Sequence, residues 1–253
     1  MEDDRQDPVP SVSTTLSVVE LFGPTIQGEG PSVGNAAQFL RLAGCNLTCV
    51  WCDTAFSWDS QRRDPDRPPR TITINEALEH LDPRFRDPFA RAPLVKRLVV
   101  TGGEPLLQAS QLAELLVPLS AQGWAVEVET SGSVPPGPVA ALATRFNVSP
   151  KLSHSRVAEK ARLRIHVLDR FAVMPSSIFK FVVQDSADLR EIETLLNKLS
   201  VLVPPERVYV MAQGSSGTTV LERSRSIVDD VVARGWSLTP RWHTLLWNDE
   251  RGR

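Results

Sequence analysis

Outside one short loop the sequence contains no cysteine. A disulfide framework needs an even number of cysteines spread along the chain, so it is excluded. No apolar run is long enough to span a membrane. The opening Met1-Glu2-Asp3-Asp4-Arg5 is acidic, has no apolar core and is no signal peptide. Free thiols without a secretion signal point to a reducing cytoplasm. Neither sign of charge dominates: 28 Lys and Arg stand against 30 Asp and Glu, a formal net charge of −2. With no basic stripe either, a nucleic-acid partner is not expected. No internal repeat or linker divides the 253 residues, a length that suits one large α/β domain.

Three thiols, Cys45, Cys49 and Cys52, lie on the segment 44–54, Gly-Cys-Asn-Leu-Thr-Cys-Val-Trp-Cys-Asp-Thr. Core cysteines would scatter among the apolar runs. On one loop they can instead converge on one soft metal centre. Closed zinc sites and ordinary 4Fe–4S carriers both take four ligands. Here the local count stops at three, and the nearest histidine, His80, falls in a predicted helix. Three thiolates around a cubane leave one iron open. The competing reading is a three-cysteine zinc site completed by a distant histidine.

Taken in order, residues 1–15 are polar and read as a disordered tail. A first strand is expected over 16–22, then a glycine- and proline-punctuated loop over 23–31 that carries Gln27 and Glu29. The strand 37–43 delivers the cysteine loop and is interrupted by Arg41. A charge there is costly without a partner: either a structural acid at the strand rim or an anionic substrate group held by a bidentate fork. Residues 61–70 read as a solvated insertion, 74–81 as a helix and 83–93 as irregular. The strand 94–100 feeds Thr101-Gly102-Gly103-Glu104-Pro105 and a helix over 107–121. Further strands are expected over 124–130, 146–148, 178–183 and 208–212, with helices over 187–199 and 218–234 whose apolar residues recur at helical spacing. A last strand, 241–247, would carry His243. Alternating strands and helices imply a parallel sheet with right-handed crossovers and a ligand site at the strands' C-terminal ends. Eight units need more chain than is present, so the fold class is an open, partial parallel βα barrel of about six units in one domain, 16–253.

The Cys-x3-Cys-x2-Cys spacing, with Trp51 just before the last cysteine, resembles the cluster loop of the radical S-adenosylmethionine superfamily. Thr101–Pro105 resembles its glycine-glycine-glutamate element, where backbone carbonyls accept from the ammonium of S-adenosylmethionine. Residues 18–253 together resemble the 7-carboxy-7-deazaguanine synthase family, through Thr25-Ile26-Gln27-Gly28-Glu29-Gly30, Arg41, Trp51-Cys52-Asp53-Thr54, Thr101–Pro105, Ser149-Pro150-Lys151 and the His243 segment.

That resemblance implies a 4Fe–4S cluster on Cys45, Cys49 and Cys52 that splits S-adenosylmethionine. It implies conversion of 6-carboxy-5,6,7,8-tetrahydropterin to 7-carboxy-7-deazaguanine with loss of ammonia, begun by hydrogen abstraction at carbon 6. By the same resemblance Ile26, Gln27, Gly28, Glu29 and Thr101 face the pterin, Arg41 meets its carboxylate, and His243 and the terminal carboxylate at Arg253 also bind substrate. Trp51, Cys52, Asp53, Gly103, Ser131, Ser149, Pro150 and Lys151 line the S-adenosylmethionine site, with Met211 and Gln213 toward the adenosine. Thr54 matches the magnesium position, and a hydroxyl suits that hard ion. Read from the residues alone, Thr54 is as well a turn hydroxyl and His243 a structural strand histidine. The resemblance further implies a flavodoxin or ferredoxin as electron donor and a homodimer. Two rivals share the cysteine loop: a glycyl-radical activase and a non-enzymatic zinc or electron-transfer module.

Overall fold

The computed structural model describes residues 14–248 and 250–252. Its strands are β1 (Thr15–Ile26), β2 (Ala36–Leu42), β3 (Arg70–Thr73), β4 (Arg97–Gly102), β5 (Ala125–Thr130), β6 (Arg145–Val148), β7 (Ser177–Val183), β8 (Val208–Ala212) and β9 (Ser237–Leu238). Its helices are α1 (Ile74–Leu81), α2 (Ala109–Ala121), α3 (Glu159–Arg162), α4 (Ile165–Ala172), α5 (Ser186–Leu196), α6 (Gly217–Ala233) and α7 (Trp242–Trp247). All nine strands form one sheet, ordered β3-β1-β2-β4-β5-β6-β7-β8-β9. It has two edges and does not close, so the partial, open barrel is the observed architecture. From β2 to β9 every pairing is parallel. At the other end the expectation of an all-parallel sheet fails, because β1 runs antiparallel to both β2 and β3.

The two faces of the sheet differ in chemistry, which follows from the period of two along a strand. Leu40, Leu42, Leu98, Val100, Val126, Val128, Phe146, Val148, Phe179, Phe181, Val208 and Val210 point outward into the main core. Helices cover that face: α2 packs on β5, α5 on β7 and α6 on β8. The alternate positions face inward. At the β1–β2 end they are apolar: Ala37, Phe39 and Val99 pack with Phe22. Farther along they are polar: Arg41 and Thr101 are register partners, as are Glu129 and Asn147, while Lys180 stands beside Tyr209. Parallel sheets buried on both faces are usually apolar on both. A polar inner face is therefore the candidate ligand-facing surface.

Several expectations shift. β1 begins at Thr15 and continues to Ile26 through a register irregularity between Phe22 and Thr25, so the first four residues of the glycine-proline stretch belong to the strand. The tail expected over 1–15 lies, but for its last two residues, outside the described residues. α1 is capped by Thr73, whose hydroxyl accepts from the Glu76 amide at 3.1 Å while the Glu76 carboxylate accepts from the Thr73 amide at 2.6 Å. The segment 241–247, expected as a strand, is helix α7. The sheet's last strand is instead the two-residue β9, and the amide of Trp242 turns to the carbonyl of Gly28 at 3.0 Å.

Candidate active site

The inner polar face meets the β1–β2 loop and the start of α7 in one buried network. Glu29 is its hub. Lys180 Nζ lies 2.5 Å from Glu29 Oε2, with Arg241 Nε at 3.5 Å and His243 Nε2 at 3.6 Å from Oε1. Burial pushes the Glu29 carboxyl up, but the charges of Lys180, His243 and Arg241 together outweigh it and hold the group well below the usual carboxylate range. Lys180 is equally enclosed; burial would lower its pKa, yet Glu129 and Glu29 hold it above the ordinary lysine value. Glu129 lies 3.6 Å from Lys180 and accepts from Gln27 Nε2 at 3.3 Å and from Thr101 Oγ1 at 3.0 Å.

Glycine shapes this cup at one position. A Cβ on Gly28 would stand 2.4 Å from His243 Nδ1 and 3.1 Å from its backbone nitrogen, so only glycine lets α7 approach. The amide of Gly30 adds a second tie, donating to Thr239 Oγ1 at 2.7 Å. Ile26 ends β1 opposite Ala36. Gln27, Gly28, Glu29, Thr101 and His243 are thus brought together. Arg41 stands beside Thr101, but its Nε is paired with Glu20 Oε2 at 3.0 Å, so the structural-acid alternative holds for that atom. Arg253 lies outside the described residues.

The cysteine loop leaves β2 and folds over the strand ends. None of its three thiols is in a disulfide. Burial pushes the Cys45 thiol up to about 11 and raises Cys49 too, with the nearby Lys151 cation opposing the shift. Burial of an uncharged thiol costs little, whereas a bound cationic centre would deprotonate it outright. Two N–H groups already point at sulfur: Leu47 N at 3.4 Å from Cys45 Sγ and Trp58 Nε1 at 3.5 Å from Cys52 Sγ. Such donors stabilise thiolate ligands of a cluster. Three thiols on one loop, two of them met by N–H donors, are the donor set that a cubane takes on three of its irons. The residues present fit the cluster.

Glycine packing fixes the floor under that loop. A Cβ on Gly103 would lie 2.0 Å from the Gly44 carbonyl oxygen, and the Glu104 amide donates to the same oxygen at 2.8 Å. The Glu104 carboxylate turns inward instead of toward a ligand. It accepts from Thr130 Oγ1 at 2.8 Å, Ser131 N at 2.8 Å, Ser131 Oγ at 2.6 Å and Leu106 N at 3.2 Å. Burial lifts its pKa despite those donors. Ser131 passes the link on through Ser133 to Asn46, inside the cysteine loop. Lys151 Nζ donates to Ser149 Oγ at 3.0 Å and lies 5.9 Å from the Trp51 ring centre, while Trp51 stacks on His154 at 5.2 Å. Ser149 and Pro150 are buried at the end of β6. These groups border the thiols from the β4, β5 and β6 ends, leaving Lys151 as a cation for a carboxylate. Thr54 Oγ1 is 3.7 Å from Cys52 Sγ. Met211 is buried on β8. Gln213 is committed elsewhere: its amide oxygen accepts from Arg223 and, at 3.3 Å, from Gln184.

Arg241 ties the two halves together, reaching Glu29 in the cup and pairing through Nη2 with Asp53 of the cysteine loop. Arg241, Lys180 and Glu129 were not singled out from the sequence. Lys180 carried a usable signal, a lone charge in the apolar run Ser-Ile-Phe-Lys-Phe-Val-Val.

The sequence profile of the 4Fe-4S single cluster domain matches residues 26–132. The 7-carboxy-7-deazaguanine synthase of Pyrobaculum aerophilum is 36% identical over 245 residues, covering 96% of this chain and 100% of that protein. The protein of the same name from Hyperthermus butylicus is 33% identical, covering 93% and 94%. The crystal structure of QueE from Escherichia coli superposes with a TM-score of 0.67 at 24% identity, over 90% of this chain and 95% of that one, a likeness of fold. The likeness to the curated relatives, 36% and 33% identical over nearly the full length of both chains, places the protein in the 7-carboxy-7-deazaguanine synthase family of radical S-adenosylmethionine enzymes.

Proposed function

We propose that this protein converts 6-carboxy-5,6,7,8-tetrahydropterin to 7-carboxy-7-deazaguanine with loss of ammonia, a step of queuosine-type deazapurine biosynthesis. The observation that carries the reading is Arg241, which joins the carboxylate of Glu29 to the cysteine loop at Asp53. A heterocycle seated on Glu29 therefore lies against whatever the thiols hold.

Cys45, Cys49 and Cys52 would hold the 4Fe–4S cluster, whose open iron and S-adenosylmethionine supply the hydrogen-abstracting radical. The chain itself binds, orients and excludes water. Glu29, kept ionised by Lys180 and Arg241 with His243 beside it, accepts from the amino and ring N–H groups of the pterin. Gln27 and Thr101 fix the far side through Glu129. The terminal nitrogens of Arg41 take the substrate carboxylate. Gly103, Ser131, Ser149, Pro150 and Lys151 border S-adenosylmethionine, with Trp51 and Asp53 from the loop above. Thr54 offers its hydroxyl to magnesium, completed by substrate oxygens and water. A flavodoxin or ferredoxin delivers the electron, and the enzyme works as a homodimer. A glycyl-radical activase acts on a protein, and a closed, charged cup has no use for one.

The test is anaerobic reconstitution with iron and sulfide, then reduction and addition of the carboxypterin. The expected result is a thiolate-to-iron band near about 400 nm, cleavage of S-adenosylmethionine, and the deazaguanine acid by mass. A colourless zinc protein, or a brown one that leaves the carboxypterin untouched, would refute it.

A further inference from the structure

Glu20, on β1, stands between two guanidinium groups. Its Oε2 accepts from Arg41 Nε at 3.0 Å. Its Oε1 accepts from Arg251 Nε at 2.8 Å, with Arg251 Nη2 at 2.7 Å. Both arginines lie over the ring of Phe56, in the segment just after the cysteines: Arg251 at 3.9 Å from its centre and Arg41 at 5.8 Å. Glu20 is only 11% exposed, Arg41 16% and Arg251 23%, so water screens this cluster poorly. Asp64 also reaches Arg251, Nη1 at 3.5 Å, and is 35% exposed.

Glu20 is divided between two cations, while Asp64 faces Arg251 alone. While Arg251 holds Oε1, Glu20 offers Arg41 only its other oxygen. The Arg41 hydrogen bond runs through Nε; among the described residues its two terminal nitrogens have none, so they form an unoccupied fork suited to a carboxylate. Without Arg251 both oxygens of Glu20 would be available to Arg41, and the fork would be quenched from within the protein. We propose that Arg251 is a positioning residue that keeps Arg41 available to an anionic ligand by competing for Glu20. The aromatic face of Phe56 seats the competitor, since a guanidinium stacked on a ring retains its in-plane N–H groups. This rests on the pterin-carboxylate reading of Arg41.

The test compares wild type, R251A, R251K and the double variant E20Q/R251A. The readouts are thermal stability and anaerobic calorimetric affinity for the carboxypterin and for a tetrahydropterin lacking the carboxylate. R251A should weaken the carboxypterin about fivefold, in line with loss of one partly exposed charge interaction, and leave the carboxylate-free pterin unchanged. R251K keeps the charge but not the stacked fork, so its affinity should fall between wild type and R251A. E20Q/R251A should regain affinity, because a glutamine still accepts from Arg41 Nε but carries no charge. Wild type that binds while R251A matches it, or a double variant as weak as R251A, overturns the proposal alone. Wild type that binds no carboxypterin overturns the pterin reading and this one with it.

Discussion

At the scale of single residues, Lys180 and Glu29 decide the site. Lys180 is buried and shared by two carboxylates, so its removal strands negative charge where water cannot reach. Lys180→Met should therefore cost ~3–5 kcal/mol of stability, read by denaturant unfolding, whereas an ordinary surface lysine changes little. Glu29→Gln keeps the shape and loses the charge. The Glu29 carboxyl sits below its unfolded value, so its stabilisation is complete above about pH 4.3 and fades as pH falls through the folded value. The stability gap between wild type and Glu29→Gln should be widest near neutrality and shrink in acid. A gap independent of pH would mean that the ionised form is not what Lys180 and Arg241 hold. Lys180 was legible by the same cost-of-charge argument that singles out Arg41. Glu129 was not, because its neighbours Glu127 and Thr130 make the strand look solvated, although Glu127 is itself buried and tied to Arg97 and Ser32.

At the scale of elements, turns carry more of the site than strands do. Gly103→Ala would drive a methyl group into the Gly44 carbonyl. Overpacking of that kind costs ~1–3 kcal/mol, and here the segment that must yield leads into Cys45. The fold should survive, by circular dichroism, while iron bound on reconstitution falls. Full iron occupancy in this variant would show that the β4 turn does not set the loop. The periodic helices and apolar strands could be read from the sequence because local pattern and tertiary environment agree there. Residues 241–247 could not. Trp-His-Thr-Leu-Leu-Trp is short and aromatic, which fits a strand; what makes it a helix is a distant acceptor, the Gly28 carbonyl, invisible to local reasoning. β3 and β9 were missed for a related reason: four and two residues leave no period to detect. The reversed direction of β1 depends on pairing, which no single segment encodes.

At the scale of the whole molecule, the sheet separates an apolar exterior face, sealed by helices, from a charged interior. Phe146 is fully buried in the sealed face and meets Phe171 edge-on at 5.3 Å. Phe146→Ala should cost ~3–5 kcal/mol. Because one core runs beneath β2 to β8, unfolding should stay a single transition, with fluorescence and far-ultraviolet dichroism moving together. Two separated transitions would mean that the antiparallel end folds as a separate unit.

The bonds from Gly28 to Trp242 and from Gly30 to Thr239 have a temporal corollary. They join segments more than two hundred positions apart, so during synthesis the pocket stays unfinished until residue 242 has left the ribosome. A prematurely terminated product, even one that gathers iron, would lack Arg241 and His243 and could not cradle a substrate beside that reactive metal. Competence is thereby withheld until residues 239–243 have been made.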